Sequence, residues 1–303
     1  MIFSNLQKKT VLVLIVVFQL MAGCTTSKYS SRGNKLASFY ERISSLESSS
    51  GGRIGIFSIN TGSRKKIQYR ADETFPLWST HKVMTVAAVL KKNITDPGLL
   101  KEQVTYSKDD LKVLGYAPIT EKYINEGMTV SELCAATIQY SDNAAANLLM
   151  RKLGGADAVT KFARSVGDDL FQFYSLKSDL KLPVYPTNLR VKSTPAMVGK
   201  SLERLVLGNV LAKPQREQLE KWLKGNTTGD SRIRAGVPND WIVGDKTGTG
   251  SEYGITNDIA VIWPPNAAPL ILTIFFLTKD QKDTVHHDEV VASATRLVID
   301  AIL

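Results

Sequence analysis

Apolar residues are spaced differently in successive parts of this chain. After a leading apolar run, Val11 to Met21, they recur every three to four residues at Leu36, Phe39, Tyr40, Ile43 and Leu46. That spacing predicts an amphipathic helix from Asn34, stopped by Ser48-Ser49-Ser50-Gly51-Gly52. Arg53 to Ile59 reads as a strand, Asn60-Thr61-Gly62 as a turn and Lys66 to Tyr69 as the returning strand. The middle of the chain is mostly helical. One run carries Val83, Met84, Val86, Ala87, Val89 and Leu90; another starts at Thr129, with Glu132 three residues on as a capping partner; a third opens at Thr194-Pro195. Strands return at Trp241 to Thr247, Asn257 to Trp263 and Leu270 to Leu277, before a last helix from about Asp288 to Leu303.

Strands at both ends around a helical middle imply one antiparallel sheet in which the first and last strands meet, an α/β fold of the α+β sandwich kind. Terminal helices are expected on one face. Residues 34–75 and about 225–303 would form this α/β lobe and about 76–224 a helical lobe, with a site between them. No internal repeat or long low-complexity segment interrupts the pattern.

The leading run changes the picture at the N-terminus. Lys8 and Lys9 precede an apolar stretch too short to span a bilayer but of signal-peptide length. It ends in Leu20-Met21-Ala22-Gly23-Cys24, which resembles a bacterial lipobox: residues 1–23 would be removed, Cys24 would carry a lipid, and 24–33 would be a polar tether. Ordinary export with cleavage near Ala22 is the competing expectation. Either way an exported protein of the periplasm or cell envelope is expected, with any membrane contact made through the lipid. Cys134, the only other cysteine, has no disulfide partner if Cys24 is lipidated, and is expected in the core.

The net charge is +9, and loss of Lys8 and Lys9 with the leader leaves +7. The basic residues are scattered and not interleaved with aromatics, which argues against a nucleic-acid partner. The three histidines, His81, His286 and His287, are poorly placed to share an ion, and no metal or other cofactor is expected.

The candidate chemistry begins at Ser79 and Lys82. Three residues apart at a helix start, they place a hydroxyl and an amine on one face, and a lysine in apolar surroundings can serve as the base that a serine nucleophile needs. Helix-start N–H groups can steady an oxyanion. Two further runs give the pair its meaning. In Ser141-Asp142-Asn143, Ser141 can relay a proton to a leaving amine and Asn143 can hold a substrate amide. In Lys246-Thr247-Gly248, Lys246 and Thr247 suit a substrate carboxylate, and Thr249 adds a hydroxyl and an oxyanion N–H.

Together these runs make the three-part signature of penicillin-recognising serine enzymes. The chain resembles class A serine β-lactamases along nearly all of its exported length, including Tyr116-Ala117-Pro118, Gly225-Asn226-Thr227-Thr228-Gly229 and Gly244 through Pro264. The resemblance implies a β-lactamase/transpeptidase-like fold, a monomer, Tyr116 as a wall of the cleft and Arg232 near the substrate carboxylate.

One part of the family pattern is missing. Family members carry a loop glutamate that activates the deacylating water. Here that position falls at or near Lys177, the nearest carboxylate is Asp179, and no glutamate occurs between Glu132 and Glu203. Three readings follow. A β-lactamase would deacylate through Asp179 or neutral Lys82. A D-alanyl-D-alanine peptidase or transpeptidase would act on peptidoglycan stem peptides and be acylated by β-lactams. A non-catalytic sensor would keep its acyl group. The otherwise complete signature favours the first.

Overall fold

The computed structural model describes residues 35–173, 191–250, 254–279 and 285–303. Cys24, Lys177 and Asp179 lie outside the described residues. The chain divides into two compact units at Ser45. The described part of the first is the beginning of a helix, α1 (residues 35–49), on which the Phe39 and Tyr40 rings meet edge to face at 5.3 Å.

The second unit is built on five strands. β1 (Gly52–Asn60) turns back into β2 (Lys66–Tyr69). After β3 (Phe75–Pro76), a 3₁₀ turn at Trp78–His81 leads into α2 (Lys82–Thr95). Then come β4 (Gln103–Val104), α3 (Lys108–Leu114), β5 (Met128–Thr129), α4 (Val130–Gln139), α5 (Asn143–Leu153) and α6 (Ala156–Ser165). β6 (Gln172–Phe173), β7 (Val191–Ser193), α7 (Pro195–Val206), α8 (Lys213–Lys224) and α9 (Ile233–Gly236) follow. The chain ends with β8 (Ile242–Gly250), β9 (Ile255–Trp263), β10 (Leu270–Thr278) and α10 (Asp288–Ile302).

The sheet order is β2-β1-β10-β9-β8, antiparallel at each pairing of known register, so the first and last long strands meet as the sequence implies. Gly52 pairs with Thr278 and Asn60 with Leu270. The four long strands, β1, β8, β9 and β10, are buried at nearly every position because both faces of the sheet are covered. Phe57, Ile59, Ile259, Val261, Ile271 and Phe275 join the core shared with the helices of the middle segment. Alternate residues point the other way, where α10 packs on β1, β2, β9 and β10.

Local signals start the helices where expected. Thr129 accepts from the Glu132 N–H while the Glu132 carboxylate accepts from the Thr129 N–H, a complete capping box. Thr194 caps α7 with Pro195 in its first turn. Ser107 and Asp110 form a second capping box at α3. Cys134 is fully buried, and burial pushes its thiol pKa far up, so it is an inert part of the core. None of the described helices is long and apolar enough to cross a membrane.

Candidate active site

β8 is the edge strand of the sheet beside the 3₁₀ turn that carries Ser79, and two of its glycines explain how closely they approach. A Cβ on Gly248 would lie 2.7 Å from the Leu77 carbonyl oxygen, and one on Gly250 would lie 2.4 Å from the Trp78 ring. From the neighbouring strand, Asn257 Nδ2 donates to the carbonyls of Pro76 (2.8 Å) and Leu77 (3.3 Å). The turn is thus fastened to β9 as well as packed on β8. Trp78 takes φ +49°, a left-handed conformation unusual for a bulky residue, immediately before the serine.

Ser79 lies in the 3₁₀ turn and Lys82 is the first residue of α2, so the pair straddles a junction; the sequence had suggested one regular helical turn. Lys82 Nζ donates to Ser141 O (2.5 Å), Ser141 Oγ (3.2 Å) and Asn143 Oδ1 (2.6 Å). Among the described residues no hydrogen bond joins it to Ser79, the direct contact expected of a base and its nucleophile. Lys246 Nζ reaches the same hydroxyl, Ser141 Oγ, at 3.1 Å, and also the Thr247 carbonyl at 2.9 Å. Two lysines therefore converge on one serine oxygen.

Burial, followed by the charge of Lys246, holds the Lys82 ammonium well below the usual lysine range. Burial also lowers Lys246, to about 7, although Asp245 and Asp258 oppose the shift. A lysine that can lose its proton near neutrality can act as a base.

Ser141 takes φ +56°, and Asp142, which follows it, organises the surroundings. The Asp142 carboxylate is fully buried. It accepts from the N–H groups of Ile119 (3.0 Å), Thr120 (2.9 Å) and Ala145 (2.8 Å), and from Thr120 Oγ1. It thereby caps α5 and pins the loop bearing Tyr116, whose carbonyl accepts from the Asn143 N–H at 2.7 Å. Tyr116 is 62% exposed and so accessible to a ligand.

On the other wall, Thr247 Oγ1 lies 2.5 Å from Thr228 Oγ1. Arg232 is buried behind β8, where its Nε donates to Asp288 (2.7 Å) and its Nη1 to the Gly248 and Asn257 carbonyls. Its Nη2 donates to Thr249 Oγ1 at 2.7 Å, so its charge meets the site through that hydroxyl. Asp245, beside Lys246, is held by Asn226 (2.5 Å) and Arg234 (2.7 Å).

Ser79, Lys82, Ser141, Asn143, Lys246, Thr247, Gly248, Thr249 and Tyr116 thus come from parts of the chain far apart in sequence to line one region. Asp142, Asn257 and Thr228 support it and were missed by the sequence reading. Asp142 carried a signal, as an N-cap residue type directly ahead of a helix, and both it and Thr228 stand inside runs that carry the family resemblance, though neither had been given a role. Among the described residues no group of three or more acidic, histidine or cysteine side chains could hold a metal ion.

Residues 38–302 match the β-lactamase enzyme family. The CTX-M-97 β-lactamase of Escherichia coli is 49% identical over 261 residues, 86% of this chain and 88% of its own. The carbapenem-hydrolysing β-lactamase KPC of Klebsiella oxytoca is 47% identical over 262 residues, 86% of this chain and 88% of its own. Among solved structures, a β-lactamase from Desulfarculus baarsii superposes with a TM-score of 0.79 at 42% identity, covering 87% of this chain and 96% of that one. By sequence, by length and by fold, the chain belongs to the β-lactamase enzyme family.

Proposed function

We propose that the protein is a class A serine β-lactamase that opens the lactam amide through an acyl-enzyme on Ser79. The observation that carries the chemistry is the meeting of Lys82 and Lys246 at Ser141 Oγ. Neutral Lys82, held low by its burial, takes the proton of Ser79 as the hydroxyl attacks the lactam carbonyl. Ser141, bonded to both lysines, passes a proton to the departing lactam nitrogen. The backbone N–H groups of Ser79 and Thr249 steady the oxyanion. Lys246, Thr247 and Thr249, the last backed by Arg232, receive the substrate carboxylate, while Asn143 and Tyr116 hold the acylamide side.

Hydrolysis of the ester is a separate step and needs a base for water. With no glutamate between Glu132 and Glu203, the groups the sequence offers are Lys82, Asp179 and Lys177. A peptidase or acyl trap would use the same acylation machinery and stop at the ester. The enzyme is exported and held to the cell envelope by a lipid on Cys24, a reading supported by Leu20-Met21-Ala22-Gly23-Cys24 after the apolar run. The test is hydrolysis of a chromogenic cephalosporin by wild type and Ser79→Ala: many turnovers by the former and none by the latter are expected. Turnover retained without the hydroxyl would remove Ser79 from the chemistry.

A further inference from the structure

Beside the nucleophile turn lies a chamber of about 10 Å³, lined among others by Thr80, His81, Asp168, Phe171, Leu202 and Ile259. Its wall is mostly apolar. Two polar atoms of its lining residues, His81 Nδ1 and Asp168 Oδ2, are shielded from solvent without a hydrogen-bond partner. The other oxygen of the same carboxylate is well held: Asp168 Oδ1 accepts from Ser193 Oγ at 2.6 Å and from the Phe171 N–H at 3.1 Å.

Burial raises Asp168 to about 6, with neighbouring Asp169 adding to the rise, and lowers His81 to about 3, with the charges of Lys82 and Lys246 adding to the fall. At neutral pH the carboxylate is therefore ionised and the imidazole neutral. Leaving both atoms bare carries their full desolvation penalty. One water needs roughly 10–15 Å³ and two to four polar partners; the chamber has about that room, and two of the residues that line it each carry an unsatisfied atom.

We propose that the chamber is a binding site for one internal water, which joins Asp168 Oδ2 to His81 Nδ1 and makes Asp168 a positioning residue for the nucleophile turn. His81 stands between Ser79 and Lys82, and Asp168 is bonded to Ser193 on β7, which pairs with β3 just ahead of the turn. The water closes a polar path from β7 to the middle of the Ser-x-x-Lys segment. The water bridge goes beyond the proposed hydrolysis and is independent of it; the positioning role rests on Ser79 being the nucleophile.

The test compares wild type with His81→Phe, which keeps the ring shape without Nδ1, and His81→Asn, whose amide restores a polar atom near that place. The readout is the titration of the Asp168 carboxyl by ¹³C NMR of the intact protein. With the water present, the wild-type midpoint falls below about 6, His81→Phe moves it upward by about one pH unit or more, and His81→Asn recovers part of the shift. Acylation by benzylpenicillin slows by roughly tenfold in the Phe variant and partly recovers in the Asn variant. Unchanged midpoints across the three proteins would overturn the bridge, and equal acylation in the Phe and Asn variants would overturn the positioning role. Should the Phe variant not fold, a high-resolution crystal structure of the wild type decides: a water within hydrogen-bond reach of both atoms supports the proposal, and a dry chamber refutes it.

Discussion

Replacing Asp142 with asparagine removes the charge and half the accepting capacity of a fully buried group. Its two oxygens serve opposite partners: Oδ1 accepts from the Ala145 N–H at the start of α5, and Oδ2 from the Ile119 and Thr120 N–H groups in the Tyr116 loop. An asparagine can satisfy one side with its oxygen but must turn its own NH₂ towards donors on the other. At about 1.5–3 kcal/mol for each bond to a charged acceptor, losing the pair on the loop side costs about 3–6 kcal/mol. That is a large part of the roughly 5–15 kcal/mol by which a domain is stable. The expected readout is a lower denaturation midpoint at unchanged m-value, and a thermal midpoint lowered by about 6–24 °C. Asp142→Ser separates the two functions: a serine can keep the cap, worth about 0.5–2 kcal/mol, but is too short to reach the loop. Acylation should fall in both variants, because Ser141 and Asn143 flank the altered position. A loss below about 1 kcal/mol in Asp142→Asn would refute the assignment of Asp142 as the anchor of this corner.

Asn257→Ala should destabilise by about 1–3 kcal/mol in denaturant titrations, since the buried Pro76 carbonyl loses the side-chain donor that holds it, and should slow acylation through a loosened nucleophile turn. Gly250→Ala forces a methyl group to within 2.4 Å of the Trp78 ring, and an overpacking cost of about 1–3 kcal/mol together with slower acylation is expected by the same measurements. The pH profile of kcat/KM should fall on the alkaline side as Lys246 loses its proton at about 7, because the neutral amine no longer attracts a carboxylate; the limb of kcat should lie higher, since the bound substrate's charge favours the ammonium. A kcat/KM flat from pH 6 to 9 would contradict that assignment. Asp179→Asn should slow deacylation by about 10²- to 10⁴-fold while leaving acylation nearly intact if this carboxylate activates the water; identical decay rates would leave Lys82 as the base.

The long elements were legible because their causes are local. β10 reads as a run apolar but for Thr273 and Thr278 since both faces of the sheet are covered, and α4 begins just after Thr129 because the capping partners stand three residues apart. The site residues with a motif were legible for a related reason: three short runs in order carry the family signature. What the sequence withheld depends on contacts distant along the chain. Nothing near Asn257 announces that its amide will fasten the turn at Pro76 and Leu77, some 180 positions earlier. The sharing of Ser141 Oγ by Lys82 and Lys246 likewise exists only once α2, the Ser141 turn and β8 are packed together. Arg232 was expected at the substrate carboxylate, and the fold places Thr249 Oγ1 between its guanidinium and the site. The placement of Ser79 in a 3₁₀ turn after a left-handed Trp78 was hidden too, since Trp78-Ser79-Thr80-His81 followed by an apolar helical run reads as the first turn of that helix.

Hydrolysis through an acyl-enzyme on Ser79 is tested by time-resolved intact-mass spectrometry of the protein mixed with excess benzylpenicillin. A single adduct is expected, absent from Ser79→Ala, that forms rapidly and disappears as the drug is consumed over many turnovers. An adduct that persists for hours while most of the drug remains would contradict hydrolysis and leave an enzyme that acylates but does not release.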